Sequence, residues 1–194
     1  DILVGTQMVT KGLDFDHVSV VGIMNADTML TMPDFRSYEH AFQMMSQVAG
    51  RAGRRNKQGR VILQTKMPTL PVIKQVVDND YASLYADQME ERRMFHYPPM
   101  CRLVSIYMKH RYESTLNGLA YELAMLLRKV FGERVLGPDT PPVARIQNLF
   151  IRKIVLKVEL SANMQDVRNR LRQAQQYYLA QDKYKAAQIY FEVD

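Results

Sequence analysis

The chain has 194 residues, enough for one large domain or two small ones, and its 47% hydrophobic and 24% charged residues are typical of a globular protein. Its single cysteine, Cys101, excludes an internal disulfide and a cysteine-based metal site, and it favours a reducing, cytoplasmic compartment. No apolar run approaches the roughly 18 residues of a membrane-spanning helix, so we expect no membrane contact. The first residue is Asp1 rather than methionine, and we expect a piece of a longer protein.

The first third of the chain has the pattern of an α/β protein. Three apolar runs predict strands at residues 2–4, 18–24 and 60–65. The first has the form of a strand buried on both faces, and the second, rich in β-branched residues, is also predicted to be buried. Apolar residues at steps of three and four predict a helix with one buried face before the last strand; they are Tyr38, Ala41, Phe42, Met45 and Val48. This order predicts a parallel sheet covered by helices. Segment 28–36 is predicted to be a loop; Asp34 and Arg36 are expected to order it, and direct contact with DNA is the less favoured role for these two residues.

The predicted helix leads into Gln-Val-Ala-Gly-Arg-Ala-Gly-Arg at 47–54. Along the same helix, a second stripe holds two guanidiniums, an amide and no hydrophobic side chain; its members are Gln47, Gly50, Arg51 and Arg54. Glycine in a helix costs about 1 kcal/mol relative to alanine, and it lets a ligand approach the backbone closely. Two planar guanidiniums beside bare backbone suit a polyphosphate. The alternative is that the run forms the solvated, basic end of a helix, where the arginines interact favourably with the negative pole of the helix dipole.

A second polar stretch follows the first apolar run. Gly5 ends that run, and the end of a parallel strand is where open α/β sheets bind ligands. Thr6 then starts a short helical or looped stretch, in which its hydroxyl either caps a helix or, with the adjoining amides, holds a phosphate. Gly12 and Asp14 follow in a turn that is a weak signal by itself.

Composition divides the chain into three predicted segments, 1–67, 68–100 and 101–194. The middle segment has a net charge of −2 and is predicted to be a helical connector. Pro71 fits the first turn of a helix, and Tyr97-Pro98-Pro99 ends the connector because a residue before proline avoids helical geometry.

The last segment holds the positive excess, with 15 Lys and Arg against 9 Asp and Glu. Its apolar periodicity predicts the order β-α-β-β-α-β, which is typical of a ferredoxin-like α+β domain. The strands are expected near 104–108, 135–138, 150–160 and 189–193, and the helices near 112–131 and 164–178.

Basic side chains in this segment are candidates for contact with a nucleic-acid backbone rather than with base edges. One patch is expected on the open side of the sheet and comprises Arg145, Arg152, Lys153 and Lys157. A second would lie on the last helix and comprises Arg168, Arg170 and Arg172. Tyr177 and Tyr178 could stack on bases, although core packing is the stronger interpretation. A solvated basic surface remains the alternative for both patches.

These residues carry a resemblance. The run at 47–54 resembles motif VI of superfamily 2 helicases, and Gly-Thr-Gln-Met-Val-Thr-Lys-Gly-Leu-Asp-Phe at 5–15 resembles their motif V. The particular wording of both motifs, together with Met-Pro-Asp-Phe-Arg at 32–36 and Tyr-Pro-Pro at 97–99, resembles the PriA-type replication-restart DNA helicases, the primosomal protein N′ family. The resemblance covers essentially the whole chain.

The resemblance implies a fold and a set of roles. Residues 1–67 would form the later part of a second RecA-like helicase lobe, and residues 101–194 would grip branched DNA. Arg54, with Arg51, would act as an arginine finger at the γ-phosphate of ATP. Further ATP contacts are implied for Gln47, Gly50, Gly12 and Asp14. Contacts with single-stranded DNA are implied for Thr6, Gln7 and Lys11.

The sequence has no Gly-x-x-x-x-Gly-Lys-Ser/Thr phosphate loop and no Asp-Glu-x-His magnesium motif, so this piece alone is not expected to hydrolyse ATP. ATP and Mg²⁺ would be held mainly by a lobe outside the chain, and zinc is expected only in an upstream region. No metal site is expected here.

The implied function is that of the C-terminal portion of an ATP-dependent 3′→5′ DNA helicase, which recognises stalled or branched forks and starts primosome assembly. The implied partners are single-stranded and forked DNA, single-strand DNA-binding protein and primosome proteins. Two alternatives remain open: a different superfamily 2 DNA translocase, and a non-catalytic nucleic-acid-binding module.

Overall fold

The computed structural model describes residues 2–5, 18–53 and 59–194. The chain divides into two compact units, Asp1–Glu91 and Arg92–Asp194. No helix among the described residues is both long and apolar enough to cross a membrane.

The first unit contains two strands and four helices among its described residues. In chain order these are β1 (Val20–Ile23), α1 (Asp27–Leu30), α2 (Ser37–Ala49), β2 (Arg60–Leu63), α3 (Pro71–Asp78) and most of α4 (Tyr81–Met94). β1 and β2 pair in parallel, with Val20 opposite Arg60 and Ile23 opposite Leu63. The predicted parallel pairing of these two strands is confirmed.

The core of this unit forms around α2, whose predicted apolar face is the face that is buried. Ala41, Phe42 and Met45 are at most 5% exposed, and Tyr38 and Val48 pack at the margin of the cluster. The side chains that complete the core come from β1, α1, α3 and α4; they are Ile23, Ala26, Leu30, Val72, Ile73 and Leu84.

Two expectations for this unit are wrong. Residues 2–5 form no strand, and Ile2 is 92% exposed; Val20, predicted to lie in a buried strand, is 53% exposed. A strand is buried on both faces only when further strands and helices surround it, and the described part of this sheet has two strands.

The segment expected to be a loop contains the short helix α1. Its C-terminal turn is closed by the Thr31 hydroxyl, which donates to the Asp27 carbonyl at 2.8 Å. Further along, the Asp34 carboxylate accepts from the Arg36 N–H at 2.8 Å, and the Asp34 carbonyl accepts from the Ser37 N–H at 3.0 Å. Asp34 therefore orders the approach to α2, as the sequence predicts.

The connector is helical. α3 begins at Pro71, as predicted, and ends at Asp78; its C-cap is Asn79, whose φ of 52° is left-handed. α4 follows after Asp80, whose carboxylate accepts from the Ser83 N–H at 3.0 Å. The division between the two compact units falls within α4, and the three-segment division of the chain stays a prediction.

The second unit has the predicted β-α-β-β-α-β order, with one additional short strand, β5. Its elements are β3 (Cys101–His110), α5 (Glu113–Phe131), β4 (Val135–Asp139), β5 (Arg145–Ile146), β6 (Leu149–Glu159), α6 (Met164–Leu179) and β7 (Gln188–Val193). The strand order is β4-β6-β3-β7, every pairing is antiparallel, and β5 pairs with β6.

One face of this sheet carries the core. Even-numbered side chains of β3 and β6, such as Ile106 and Ile154, are fully buried against Leu116, Leu119 and Leu123 of α5. Because side chains alternate along a strand, the odd-numbered residues of β3 and β6 lie on the opposite face, which we call the open face.

Candidate functional site

The described part of this run, residues 47–53, begins in α2 and continues beyond its end. α2 ends at Ala49, and Gly50 is its C-cap, with φ of −62° and an N–H that donates to the Ser46 carbonyl at 3.0 Å. The next turns are closed by the N–H groups of Arg51 and Ala52, which donate to the carbonyls of Val48 and Ala49.

The expectation of one helical stripe through Gln47, Gly50, Arg51 and Arg54 is therefore wrong. Gln47 lies in the last turn of α2, whereas Arg51 follows the helix and is half-buried. Gly53 has φ of 79°, a left-handed conformation that a continuing helix cannot contain. Arg54 lies outside the described residues.

The turn that carries Arg51 packs against the beginning of the parallel sheet. The Gly53 N–H donates to the Val18 carbonyl at 3.0 Å, and the Arg60 N–H donates to the Ser19 carbonyl at 2.9 Å. A Cβ at Gly59 would overlap Ala52 and the Gly53 backbone, so glycine at 59 permits this close approach. Arg51 therefore lies at the amino-terminal ends of β1 and β2, not at their carboxyl ends.

The space around Gly50 differs from that around Gly59. A Cβ at Gly50 would meet only the carbonyl oxygens of Ser46 and Gln47 among the described residues, at 3.4 and 3.7 Å, which are ordinary contacts. Packing among the described residues therefore does not require glycine at position 50.

Several predicted site residues lie outside the described residues. They are Thr6, Gln7, Lys11, Gly12, Asp14 and Arg54. Their predicted roles in binding DNA and ATP stay predictions.

The carboxyl ends of β1 and β2 are joined by Asp27, which sequence reasoning missed. The Thr65 hydroxyl donates to one carboxylate oxygen at 2.5 Å, and the Lys66 N–H donates to the other at 3.0 Å. These hydrogen bonds, that of Thr65 first, lower the pKa of Asp27. Both oxygens are engaged, so the carboxylate ties the two strand ends together.

In the second unit, the predicted four-residue basic patch is not a single patch. Arg152 lies at an even position of β6, on the face covered by the helices, and its guanidinium is 2.6 Å from the Glu113 carboxylate. Lys153 and Lys157 lie on the open face, because alternate residues of a strand point to opposite sides. Arg145 lies in β5, 4.9 Å from the centroid of the Phe150 ring.

Lys157 is engaged within the unit. Its ammonium donates to the Phe95 carbonyl at 2.5 Å and lies 4.4 Å from the centroid of the Tyr97 ring. The neighbouring Cys101 thiol donates to the His96 carbonyl at 3.0 Å, and burial raises the pKa of this thiol. The chain preceding β3 thus contacts this end of the open face.

The other end of the open face holds a feature that sequence reasoning missed, a stacked pair of tyrosines between two lysines. Tyr107 of β3 lies opposite Tyr190 of β7, with ring centroids 5.2 Å apart and an interplanar angle of 14°. The Lys153 ammonium is 5.3 Å from the centroid of Tyr107, and the Lys109 ammonium is 4.8 Å from that of Tyr190. We call these four residues the tyrosine–lysine row.

The sequence contained only part of this signal. The alternation along β3 places Tyr107 and Lys109 on one face, but the pairing of β3 with β7 depends on a register that a single sequence does not specify.

On the last helix, α6, the three predicted basic residues are exposed, whereas the two tyrosines differ in burial. Arg168, Arg170 and Arg172 are exposed on α6, and Arg168 donates to Gln165 at 3.4 Å. Tyr178 is 5% exposed and packs in the core, as predicted, whereas Tyr177 is 62% exposed, so core packing is wrong for Tyr177.

A polar cluster in the second unit comprises Glu122, Lys183 and Tyr184. The Glu122 carboxylate accepts from the Lys183 ammonium and from the Tyr184 hydroxyl, both at 2.8 Å. The hydrogen bond from Lys183, followed by that from Tyr184, lowers the pKa of Glu122. The hydrogen bond to Glu122 raises the pKa of Lys183. The cluster ties α5 to the segment before β7.

Metal binding has no support within the described part of the chain. No group of three or more His, Cys, Asp and Glu side chains there is arranged to hold a metal ion.

Comparison with known proteins places the chain in a family of replication proteins. The family described as "Primosomal protein N C-terminal domain" matches residues 93–194. The chain therefore belongs to the primosomal protein N family, the PriA family of replication restart proteins.

The relatives that the chain resembles are named replication restart proteins. It is 42% identical to the replication restart protein PriA of Bacillus subtilis over 159 residues, which are 81% of this chain and 20% of that protein. The PriA of Synechocystis sp. is 37% identical over 161 residues, 81% of this chain and 19% of that protein. The PriA of Treponema pallidum is 38% identical over 159 residues, 81% of this chain and 24% of that protein. The chain thus spans about a fifth of the length of these relatives.

Proposed function

We propose that this chain is the C-terminal portion of an ATP-dependent 3′→5′ DNA helicase of superfamily 2, which recognises stalled or branched replication forks and starts primosome assembly. Its first 67 residues would belong to the second RecA-like lobe, and its last unit would be a ferredoxin-like DNA-binding domain. The observation that carries the proposal is the motif VI run at 47–54, which leaves α2 in a tight turn with Arg51 just beyond the helix end.

The chemistry of this turn fits a phosphate ligand. A guanidinium offers several N–H donors in a planar fork that matches the oxygens of a phosphate. In this proposal Arg54 and Arg51 donate to the γ-phosphate, and Gln47 donates nearby. Gly50, where a side chain is not excluded by the described residues, leaves the backbone accessible. Gly12 and Asp14 would contact the nucleotide from the motif V side.

ATP, when bound, supplies the phosphoryl group whose transfer releases the free energy for translocation. In this proposal the arginines stabilise negative charge on that group. In well-studied NTPases an arginine in this role raises turnover about 10³- to 10⁵-fold. The described residues contain no cluster of carboxylates that could hold Mg²⁺, so we assign no step through the metal to this chain. The nucleotide and Mg²⁺ would be held mainly by a lobe outside it, and zinc would belong to an upstream region.

The DNA contacts would come from both units. Thr6, Gln7 and Lys11 would hold the backbone of single-stranded DNA in the first unit. In the second unit, Lys153 on the open face is the most suitable of the predicted phosphate ligands. Arg145 and Lys157 would be secondary, because each also donates a hydrogen bond within the protein, Arg145 to the Asn148 side chain and Lys157 to the Phe95 carbonyl. Arg152 is ion-paired on the covered face and is no longer proposed to contact DNA.

The partners in this proposal are single-stranded and forked DNA, single-strand DNA-binding protein and primosome proteins, in the cytoplasm. Support comes from membership of the primosomal protein N family and from relatives that are named replication restart proteins.

The test uses the full-length protein that contains this chain. Arg54→Ala is expected to lower DNA-stimulated ATP turnover at saturating DNA by about 10³-fold or more, because charge on the γ-phosphate would lose its stabilisation. Arg60→Ala is the matched control, since it removes an exposed arginine outside the motif and should leave turnover unchanged. Near-normal turnover in Arg54→Ala would remove the arginine-finger assignment.

A second candidate is a non-catalytic nucleic-acid-binding module, which the basic charge of residues 101–194 favours. The upstream coding sequence separates the candidates. A phosphate loop and a cluster of zinc-binding cysteines there would support the restart helicase, a phosphate loop alone would support another translocase, and the lack of both would support the binding module.

A further inference from the structure

The tyrosine–lysine row lies on a part of the sheet that the helices leave uncovered. Both α5 and α6 pack on the face that carries Ile106 and Ile154. Tyr107 and Tyr190 lie on the other face, where each is half-buried rather than enclosed. Leu103 and Ile151 of the same face are only 5% and 4% exposed, so the two tyrosines belong to the part of the open face that stays accessible.

The row crosses the sheet from strand to strand. Lys153 of β6 pairs with Tyr107 of β3, and Tyr107 pairs with Tyr190 of β7. β7 is an edge strand, because the sheet order is β4-β6-β3-β7. The stack therefore ends at Tyr190, beside which the described part of the sheet has no further strand. A flat ligand can extend the stack there.

The charges of the row favour an anionic ligand. The ammonium groups of Lys109 and Lys153 lie within cation–π distance of the tyrosine rings. Among the described residues, neither ammonium forms a salt bridge, although Asp139 pairs with Lys153 across the β4–β6 ladder. Both lysines are thus available to an incoming phosphate.

Stacked aromatics between free cations form the arrangement that binds single-stranded nucleic acid. Bases of any sequence stack on aromatic side chains, while basic side chains follow the phosphate backbone. Four-stranded sheets with aromatic residues on the exposed face bind unpaired bases in this manner. Duplex DNA cannot do so, because its bases already stack on one another.

We propose that the tyrosine–lysine row binds single-stranded DNA, with a base stacked on Tyr190 at the sheet edge and with Lys109 and Lys153 at the flanking phosphates. The proposal rests on the proposed function for the choice of DNA as the ligand. It goes further by assigning a surface, an unpaired strand and a binding mode, and it replaces the four-residue patch expected from the sequence.

The rival explanation is that the row only stabilises the sheet, since cross-strand aromatic and lysine pairs do so in many proteins. A purely structural row would change the thermal stability when mutated but would not contact DNA. The experiment therefore needs a readout of contact as well as of affinity.

The experiment uses the full-length protein and an oligothymidylate in which single thymines are replaced by the photoreactive base 5-iodouracil. After irradiation, mass spectrometry identifies the cross-linked peptide. We expect cross-links on Tyr190 or Tyr107, and we expect Tyr190→Leu to remove those on Tyr190. Tyr121→Leu is the matched control, because Tyr121 is 62% exposed on α5, on the helix side of the sheet.

Affinity provides the second readout. Tyr190→Leu should weaken binding of the oligothymidylate about fivefold or more, whereas Tyr190→Phe, which keeps the stacking ring, should stay within about twofold of the wild type. Lys109→Ala and Lys153→Ala should each reduce the slope of log Kd against log salt by about 0.7.

Three outcomes overturn the proposal: no cross-link within β3 or β7 at saturating DNA, wild-type affinity in Tyr190→Leu, or an equal loss in Tyr190→Phe and Tyr190→Leu. The failure of the arginine assignment is distinct. It would appear as normal ATP turnover in Arg54→Ala and would leave these cross-links unchanged.

Discussion

The guanidinium of Arg152 lies 2.6 Å from the carboxylate of Glu113 and joins the middle of the sheet to the first turn of α5. The Arg152 side chain is 12% exposed, whereas that of Glu113 is 50% exposed. A second nitrogen of Arg152 donates to the Ile151 carbonyl at 2.9 Å. Arg152 is thus committed to internal contacts, unlike its sequence neighbour Lys153.

This pair predicts that Arg152 contributes to stability and not to DNA binding. Arg152→Ala should lower the free energy of unfolding by about 1 kcal/mol, because one partner is largely solvated and the pair is worth little more than an exposed one. Urea unfolding measures the stability, and anisotropy of a labelled oligonucleotide measures binding. Lys153→Ala is the matched control. It should leave the free energy of unfolding unchanged and should weaken DNA binding. Equal weakening of DNA binding by both variants would contradict this assignment.

The two glycines of the turn after α2 are predicted to differ. Gly53→Ala should destabilise the fold by about 1 to 2 kcal/mol, since a Cβ is disfavoured at the left-handed φ of 79°. Gly50→Ala should leave the melting temperature unchanged or slightly higher, because Gly50 is right-handed and its added Cβ makes ordinary contacts. Thermal unfolding monitors both variants.

The same pair tests the nucleotide site. If a nucleotide approaches the backbone at Gly50, Gly50→Ala in the full-length protein lowers ATP turnover although the fold is intact. Normal turnover in Gly50→Ala would show that the glycine is not needed for that approach.

The cluster around Glu122 predicts a stability that depends on pH at both extremes. The pKa of Glu122 is lowered from 4.5 in the folded state, so its contribution is present above about pH 4.5 and is lost as the pH falls further. The pKa of Lys183 is raised from 10.5, so its contribution is present below about pH 10.5 and is lost at higher pH.

Glu122→Gln tests this cluster. It should lower the free energy of unfolding by about 0.5 kcal/mol at pH 7, the scale of an exposed ion pair, and the difference from the wild type should shrink progressively as the pH falls below about 4.5. Melting temperatures between pH 3 and pH 8 check the prediction. A difference that stays constant down to pH 3 would contradict it.

The single cysteine is predicted to be unreactive in the folded protein. Cys101 is 6% exposed, and burial raises its pKa, which lowers the thiolate fraction at neutral pH. A thiol reagent such as Ellman's reagent should modify it slowly in the native protein and rapidly in urea. Equal rates in the two conditions would show that the segment around His96 opens freely.

The sequence predicted most reliably those features that depend on local periodicity. The apolar steps in α2 and the alternation in β6 identified most of the buried residues, because each element buries one continuous face. Leu160, also expected on the buried face, is 54% exposed, because β6 ends at Glu159. The sequence did not show where α2 ends, since the left-handed turn at Gly53 depends on contacts with Val18 and with the close approach of Gly59.

The candidate sites were harder to predict because they combine residues from several strands. Alternation alone separates Arg152 from Lys153, yet both were assigned to one patch on the strength of charge. The partner of Tyr107 is set by the register of β3 and β7, which are separated in the chain by two helices and three strands. Local patterns contain no such information.

ATP turnover of the full-length protein, measured as a function of the concentration of single-stranded DNA, tests both sites at once. We expect Arg51→Ala and Arg54→Ala to lower kcat without changing the DNA concentration that gives half-maximal turnover. We expect the double variant Tyr190→Leu and Lys109→Ala to raise that concentration and to leave kcat unchanged. Full kcat in both arginine variants would contradict the claim that the turn after α2 acts on the nucleotide.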